Sequence, residues 1–240
     1  MTIHIHAGVS TSHSLIPHDP TQCHIWTEVP QTEKASVRVK QDEAILSTAE
    51  LERASRFYFE ADYLAYVAAH ALVRRCLSRF VDIPARKWRF DTGPHGRPFI
   101  APKMNPTDIH FNLSHTRTLV ACAITLGAPC GIDVETIGRS KDPLGLARAN
   151  FSENEIRDLE ACEGIRRDTH FTALWCLKEA YLKAEGVGLT VPLNRISFEL
   201  DDPPYRQIQY RLSNGSRHPH WKFELFTPSA THFGALAYRV

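Results

Sequence analysis

The sequence predicts an α+β protein in which helices followed by a pair of strands occur twice. Apolar residues recur at helical spacing from Ser47 to Phe80, and two short strand-like runs follow between Ile109 and Thr125. A second helical stretch lies between Ser152 and Ala184, and the tail from Ile196 to Val240 alternates in strand fashion, as in Trp221-Lys222-Phe223-Glu224-Leu225-Phe226. The strand pairs also match in outline: Phe111-Asn112-Leu113 then Leu119 to Ala123, against Phe223-Glu224-Leu225 then Phe233 to Ala237. The expected division is an N-terminal half, 1–125, and a C-terminal half, 126–240.

Residues 1–22 are polar and rich in His, Ser, Thr and Pro, which predicts a loose leader or a short edge strand. His4 and His6 alternate, but two histidines are too few ligands for a metal site. Ser47-Thr48-Ala49-Glu50 fits a capping box, and Leu51, Ala54, Phe57 and Tyr58 continue at helical spacing. The next helix is expected from Ala61 to Phe80, with Leu64, Val67, Ala68, Ala71, Leu72 and Leu77 as its apolar stripe, and Pro84 closes the region. Trp88-Arg89-Phe90 reads as a short strand and Gly93 to Pro98 as a turn. Strands over Ile109–Leu113 and Leu119–Thr125 are joined by Ser114-His115-Thr116-Arg117, and Gly131–Glu135 starts another strand. Ser152-Glu153-Asn154-Glu155 is a second capping box, opening a helix to about Cys162. A further helix spans His170 to Ala184, with Gly186 and Gly188 ending it.

Composition removes several classes. Of 240 residues, 43% are hydrophobic and 23% charged, the balance of a soluble globular chain rather than a disordered one. A formal net charge of +1 gives no global reason to expect a nucleic-acid partner. None of the six cysteines forms a C-x-x-C pair, and most sit among apolar neighbours, so buried free thiols are expected. The N-terminus lacks the basic start and apolar run of a signal peptide, and no run approaches a membrane span. A reducing cytoplasm is the expected location.

Two acidic clusters carry the chemistry. In Gly131-Ile132-Asp133-Val134-Glu135, strand alternation sends Asp133 and Glu135 to one face. In Trp175-Cys176-Leu177-Lys178-Glu179-Ala180-Tyr181-Leu182-Lys183, helical spacing puts Trp175, Glu179 and Lys183 on one stripe. Three carboxylates and an ammonium suit a divalent metal and a phosphate-rich ligand, because magnesium takes one or two carboxylates together with phosphate oxygens. Spacing alone allows a plainer account, in which Glu179 and Lys183 are an ordinary i,i+4 pair worth about 0.3–0.5 kcal/mol. Lys178 lies about 100° around the helix from Glu179 and is expected to buttress the site or pair on another face.

Asp-x-Glu followed by Trp-x-x-Lys-Glu-Ala-x-x-Lys-x-x-Gly-x-Gly-Leu resembles the 4'-phosphopantetheinyl transferase family, in its long, surfactin-synthetase-activating type. The resemblance runs from roughly Leu46 to Leu193. It implies two similar α+β halves, a pseudo-dimer, with coenzyme A in the cleft between them. The implied reaction moves phosphopantetheine from coenzyme A to a serine of an apo acyl or peptidyl carrier protein, releasing 3',5'-ADP. Asp133, Glu135 and Glu179 would hold magnesium, or manganese by the same oxygen chemistry. Glu179 is also the best candidate for the base, the alternative being that it serves only as a metal ligand, and Lys183 would stabilise the departing nucleotide while helping to bind the coenzyme, as would Asp133. Asn112-Leu113-Ser114-His115 matches the family's Asn-x-Ser-His motif, which assigns Ser114 and His115 to the nucleotide end of coenzyme A. Gly96-Arg97-Pro98 matches a family turn whose arginine can fork onto phosphate, and Arg53 stands where relatives carry a basic residue. One departure is evident: Tyr63-Leu64-Ala65-Tyr66 has no arginine where some relatives have one, so another basic residue, such as Arg56, would have to supply that contact. The implied protein is a monomer without a membrane or nucleic-acid partner.

Two rivals share parts of this pattern. A metal-dependent phosphohydrolase of a nucleotide or phosphodiester would use the same acidic cluster with water as acceptor. A non-catalytic module could bind carriers or coenzyme A, though it would need no set of three carboxylates. G-x-S-x-G is absent and no acid is evidently placed to complete a serine-hydrolase triad.

Overall fold

The computed structural model describes residues 1–9, 14–213 and 221–239, which form two compact units, Met1–Cys130 and Gly131–Val240. Unit 1 contains β1 (Thr2–Ala7), β2 (Gln22–Glu28), α1 (Val37–Glu43), α2 (Thr48–Ala54), α3 (Glu60–Leu77), β3 (Phe90–Thr92), β4 (Pro98–Ile100), β5 (Ile109–His115) and β6 (Val120–Leu126). Among the described residues β1, β2, β6 and β5 form one sheet in that order, with β1 parallel to β2 and the remaining pairs antiparallel. Helix α3 lays Leu72, Val73, Cys76 and Leu77 on this sheet against Trp26, Phe111, Val120, Cys122 and Ile124.

Unit 2 continues β7 (Cys130–Thr136) and adds α4 (Pro143–Asn150), α5 (Glu153–Glu160), α6 (Gly164–Glu185), β8 (Ile196–Leu200), β9 (Ile208–Leu212), β10 (Trp221–Ser229) and β11 (His232–Arg239). Its described sheet runs β10-β11-β7, and β8 pairs with β9. Leu174, Leu177, Ala180 and Tyr181 of α6 share one core with Phe223, Ala235 and Ala237. Gly186 ends α6 in the left-handed region (φ 73), which a residue with a side chain rarely adopts. No helix of the described residues is long and apolar enough to cross a membrane.

Both capping boxes form as the sequence predicts, and each extends into an ion pair, fully buried in unit 2 and partly buried in unit 1. In unit 1 the Ser47 N–H donates to Glu50 Oε2 (2.7 Å), and Arg74 of α3 donates to the same oxygen (2.5 Å). Arg74 also donates to the carbonyls of Ala85 (3.2 Å) and Trp88 (3.0 Å), which flank the 3-10 turn Ala85–Lys87. In unit 2 the Ser152 N–H donates to Glu155 Oε2 (2.8 Å), and Lys178 of α6 pairs with that oxygen (2.9 Å). Lys178 donates as well to the carbonyls of Leu193 (3.0 Å) and Ile196, which flank the 3-10 turn Leu193–Arg195. The same device, a capping glutamate, a cation on the long helix and two turn carbonyls, therefore occurs once in each unit.

The structure differs from the sequence reading at several boundaries. Helix α6 begins at Gly164 rather than His170, because Ile165-Arg166-Arg167 lack a buried stripe to reveal the helix. Strand β5 continues through His115, so the turn is Thr116–Leu119, held by the Thr116 N–H on the Leu119 carbonyl (2.8 Å). Trp88 is not in a strand. It is fully buried after the 3-10 turn, its indole N–H donating to Ser78 Oγ (3.0 Å), and β3 starts at Phe90. β1 is an edge strand, within the expectation for the first residues, while β2, α1 and α4 carried no clear signal. His4 and His6 stack with His24 and Trp26 on one face of β1 and β2, and His6 Nε2 lies 3.2 Å from His24 Nδ1. All six cysteines are buried and free.

Candidate active site

The acidic cluster of unit 2 depends on a close approach of strand to helix. A Cβ on Gly131 would lie 2.0 Å from the Ala180 carbonyl oxygen and 2.4 Å from the Ala184 nitrogen, so only glycine lets β7 lie this close to α6. That approach sets Asp133 and Glu135 beside Glu179 and Lys183. Lys183 Nζ donates to Asp133 Oδ1 (2.6 Å), reaching off its helix to the strand. Asp133 is buried; Glu135, Glu179 and Lys183 are half-buried. Arg139 Nη1 donates to both oxygens of Glu135 (2.8 Å each).

The proximity perturbs the carboxyl groups. Burial holds the Glu179 carboxyl above its ordinary range, and the charges of Asp133 and Glu135 push it further up while Lys183 opposes them. Burial likewise raises Glu135, with Asp133 adding and Arg139 and Lys183 opposing. Among the described residues no three His, Cys, Asp or Glu side chains converge tightly enough to hold a metal as they stand. The donor set nonetheless fits magnesium, which takes hard oxygens, only one or two of them from protein carboxylates. Lys178, one residue from Glu179, takes no part in this cluster and stays in its buried pair with Glu155. Trp175 of the same motif packs on Phe151 and Phe171. The side chain of the motif's final Leu189 lies outside what is described.

Unit 1 carries a cavity of about 530 Å³. Its wall brings together Arg53 from α2, Gly96 and Pro98 from the β3–β4 turn, and His115 from the end of β5. Gly96 adopts φ 81, which the turn requires. Arg97 and Ser114 are not on that wall: Arg97 donates to the Cys130 carbonyl (2.9 Å), where burial lowers its pKa, and Ser114 is buried in β5 opposite Ala121. The cavity also has Tyr66, His70 and Arg89 on its wall, which sequence reading did not single out. Tyr66 and His70 were hidden in an otherwise apolar helix, and Arg89 in a segment read as strand. Ala65 is buried, so the basic residues of this cavity come from α2, from Arg74 and His70 deeper in α3, and from the loop before β3.

Comparison with known proteins now places the chain. The family model described as 4'-phosphopantetheinyl transferase superfamily matches residues 129–237, and that described as 4'-phosphopantetheinyl transferase, N-terminal, matches 30–126. The 4'-phosphopantetheinyl transferase HetI of Nostoc sp. is 30% identical over 183 residues, covering 74% of this chain and 76% of that protein. The 4'-phosphopantetheinyl transferase Sfp of Bacillus subtilis is 35% identical over 158 residues, covering 65% and 67%. Among solved structures, a holo-(acyl-carrier-protein) synthase from Bacillus anthracis, in complex with CoA (3',5'-ADP), aligns with TM-score 0.37 and 22% identity over 46% of this chain and 94% of that one. The chain belongs to the 4'-phosphopantetheinyl transferase family.

Proposed function

We propose that the protein transfers 4'-phosphopantetheine from coenzyme A to a serine of an apo acyl or peptidyl carrier protein, with magnesium on the pyrophosphate. The observation that carries this reading is the cluster of Asp133, Glu135 and Glu179 with Lys183 bound to Asp133. Family membership supplies the reaction class; the cluster supplies groups able to perform it. Asp133, Glu135 and Glu179 would hold the metal, which when bound neutralises charge on the pyrophosphate oxygens.

The carrier serine Oγ attacks the β-phosphorus, forming one phosphorus–oxygen bond as the bond to 3',5'-ADP breaks. Glu179, set beside Asp133 and Lys183, accepts the serine proton directly or through water. Lys183 offers its ammonium to the departing phosphate, where charge develops. Arg53 and His115 engage the nucleotide end of the coenzyme from the unit 1 cavity, with the Gly96-Pro98 turn shaping its wall. Arg97 and Ser114 support this region, Arg97 through the Cys130 carbonyl and Ser114 within β5. Most of the rate arises from positioning and charge neutralisation. The protein acts as a monomer in the cytoplasm.

The test separates acceptor serine from acceptor water. Coenzyme A and magnesium are incubated with the protein, with and without an apo carrier. Release of 3',5'-ADP only when the carrier is present supports transfer. Equal release without carrier contradicts it and assigns a phosphohydrolase.

A further inference from the structure

The unit 1 cavity contains an imidazole with a defined tautomer. His70 lies on the cavity wall in α3, its ring stacked on Tyr66 with centroids 4.0 Å apart. Its Nδ1 is 3.1 Å from Glu50 Oε1. Bonds from His70, Arg74 and Ser47 outweigh burial and hold the Glu50 carboxyl down at about 2, so it is an ionised carboxylate that can only accept. The hydrogen on this contact therefore belongs to Nδ1. Nε2 has no partner among the described residues. The other charged or titratable groups around the ring are Arg53 and Glu50 from α2, Arg74 from the same helix, Arg89 before β3 and His115 of β5. Arg74 is turned away onto Glu50 and the Ala85 and Trp88 carbonyls.

We propose that His70 is a ligand-contacting residue of this cavity, its Nε2 lone pair accepting a hydrogen bond from an N–H or O–H donor of the bound nucleoside. The inference rests on the reading of the cavity as the nucleotide end of the coenzyme A site. With Nδ1–H committed to Glu50, the uncharged ring presents only an acceptor at Nε2, which complements an exocyclic amine or a ribose hydroxyl rather than a phosphate oxygen. A cavity otherwise furnished with cations at Arg53 and Arg89 has phosphate contacts available; His70 adds discrimination of the nucleoside itself. A site built to bond a donor rejects the analogue that lacks it.

The test is calorimetric binding of adenosine 3',5'-bisphosphate to the full chain at about pH 8, above the usual imidazole range. His70→Asn keeps a donor toward Glu50 and deletes the Nε2 position; His70→Gln places an amide oxygen near that position. Asn is expected to weaken binding about tenfold, with Gln close to the unaltered protein. Inosine and 2'-deoxyadenosine 3',5'-bisphosphates identify the donor. If the effect of Asn disappears on the inosine analogue the amine is the partner, and if on the deoxy analogue, the ribose hydroxyl; either supports the proposal. Unchanged affinity in the Asn variant, equal losses in Asn and Gln, or an effect that persists on both analogues overturns it. Failure of the unaltered protein to bind the bisphosphate would instead overturn the reading of the cavity, and this inference with it.

Discussion

Neighbouring residues in one motif separate chemistry from architecture. Glu179 faces Asp133, Glu135 and Lys183, while Lys178, next in the chain, is buried against Glu155. Glu179→Gln should lower transfer by at least about 10² in kcat/KM, with an unchanged circular dichroism spectrum. Its effect on stability should have the opposite sign. A carboxylate whose folded pKa is raised costs the native state free energy that accrues as pH rises from the ordinary carboxylate value and is complete above the folded value. The metal-free Gln variant should therefore melt higher than the parent near neutral pH, and the difference should shrink as pH falls toward the ordinary carboxylate range. Lys178→Met should do the reverse of Glu179→Gln: leaving Glu155 buried without its cation should cost about 3–5 kcal/mol in urea denaturation.

At the scale of elements, the site exists because β7 can lie flush on α6. Gly131→Ala introduces a methyl group within 2.0 Å of the helix backbone, so strand or helix must move. A loss of about 1–3 kcal/mol is expected, together with a drop in transfer, because Asp133 and Glu135 shift away from Lys183 and Glu179. The sequence revealed this pairing of elements well: period-2 placement of Asp133 and Glu135 and period-3.6 placement of Glu179 and Lys183 both hold in the fold. It also revealed both capping boxes, since a box is a local signal. It could not reveal that Glu50 and Glu155 would each recruit a cation from a helix some 24 residues further on, because tertiary packing creates those pairs. Helix α4 and strand β2 were unreadable for related reasons: one is short with a single buried residue, and the other lies in a segment whose pattern is masked by histidine and threonine. The cavity wall at Tyr66 and His70 was hidden because both occur inside an apolar helical run.

For the molecule as a whole, acid should unfold unit 1 in two stages of lost stability. Burial, with His4 and His6 close by, lowers the His24 pKa to about 4, so the neutral ring favours the native state. That contribution is complete above the unfolded pKa of about 6.5 and is lost as pH falls from there to about 4. Glu50, held down at about 2, contributes above its ordinary range and loses that contribution as pH falls from 4.5 to about 2. Replacing His24 with Phe should flatten the first stage in a series of melting curves and leave the second in place. The two units share the capping glutamate, helix cation and turn carbonyls, yet the acidic cluster is built in unit 2 and the large cavity in unit 1. The most direct measurement is the intact mass of an apo carrier protein after incubation with the enzyme, coenzyme A and magnesium. The account predicts a gain of one phosphopantetheine, abolished by EDTA and by Glu179→Gln; a full gain with Glu179→Gln would contradict it.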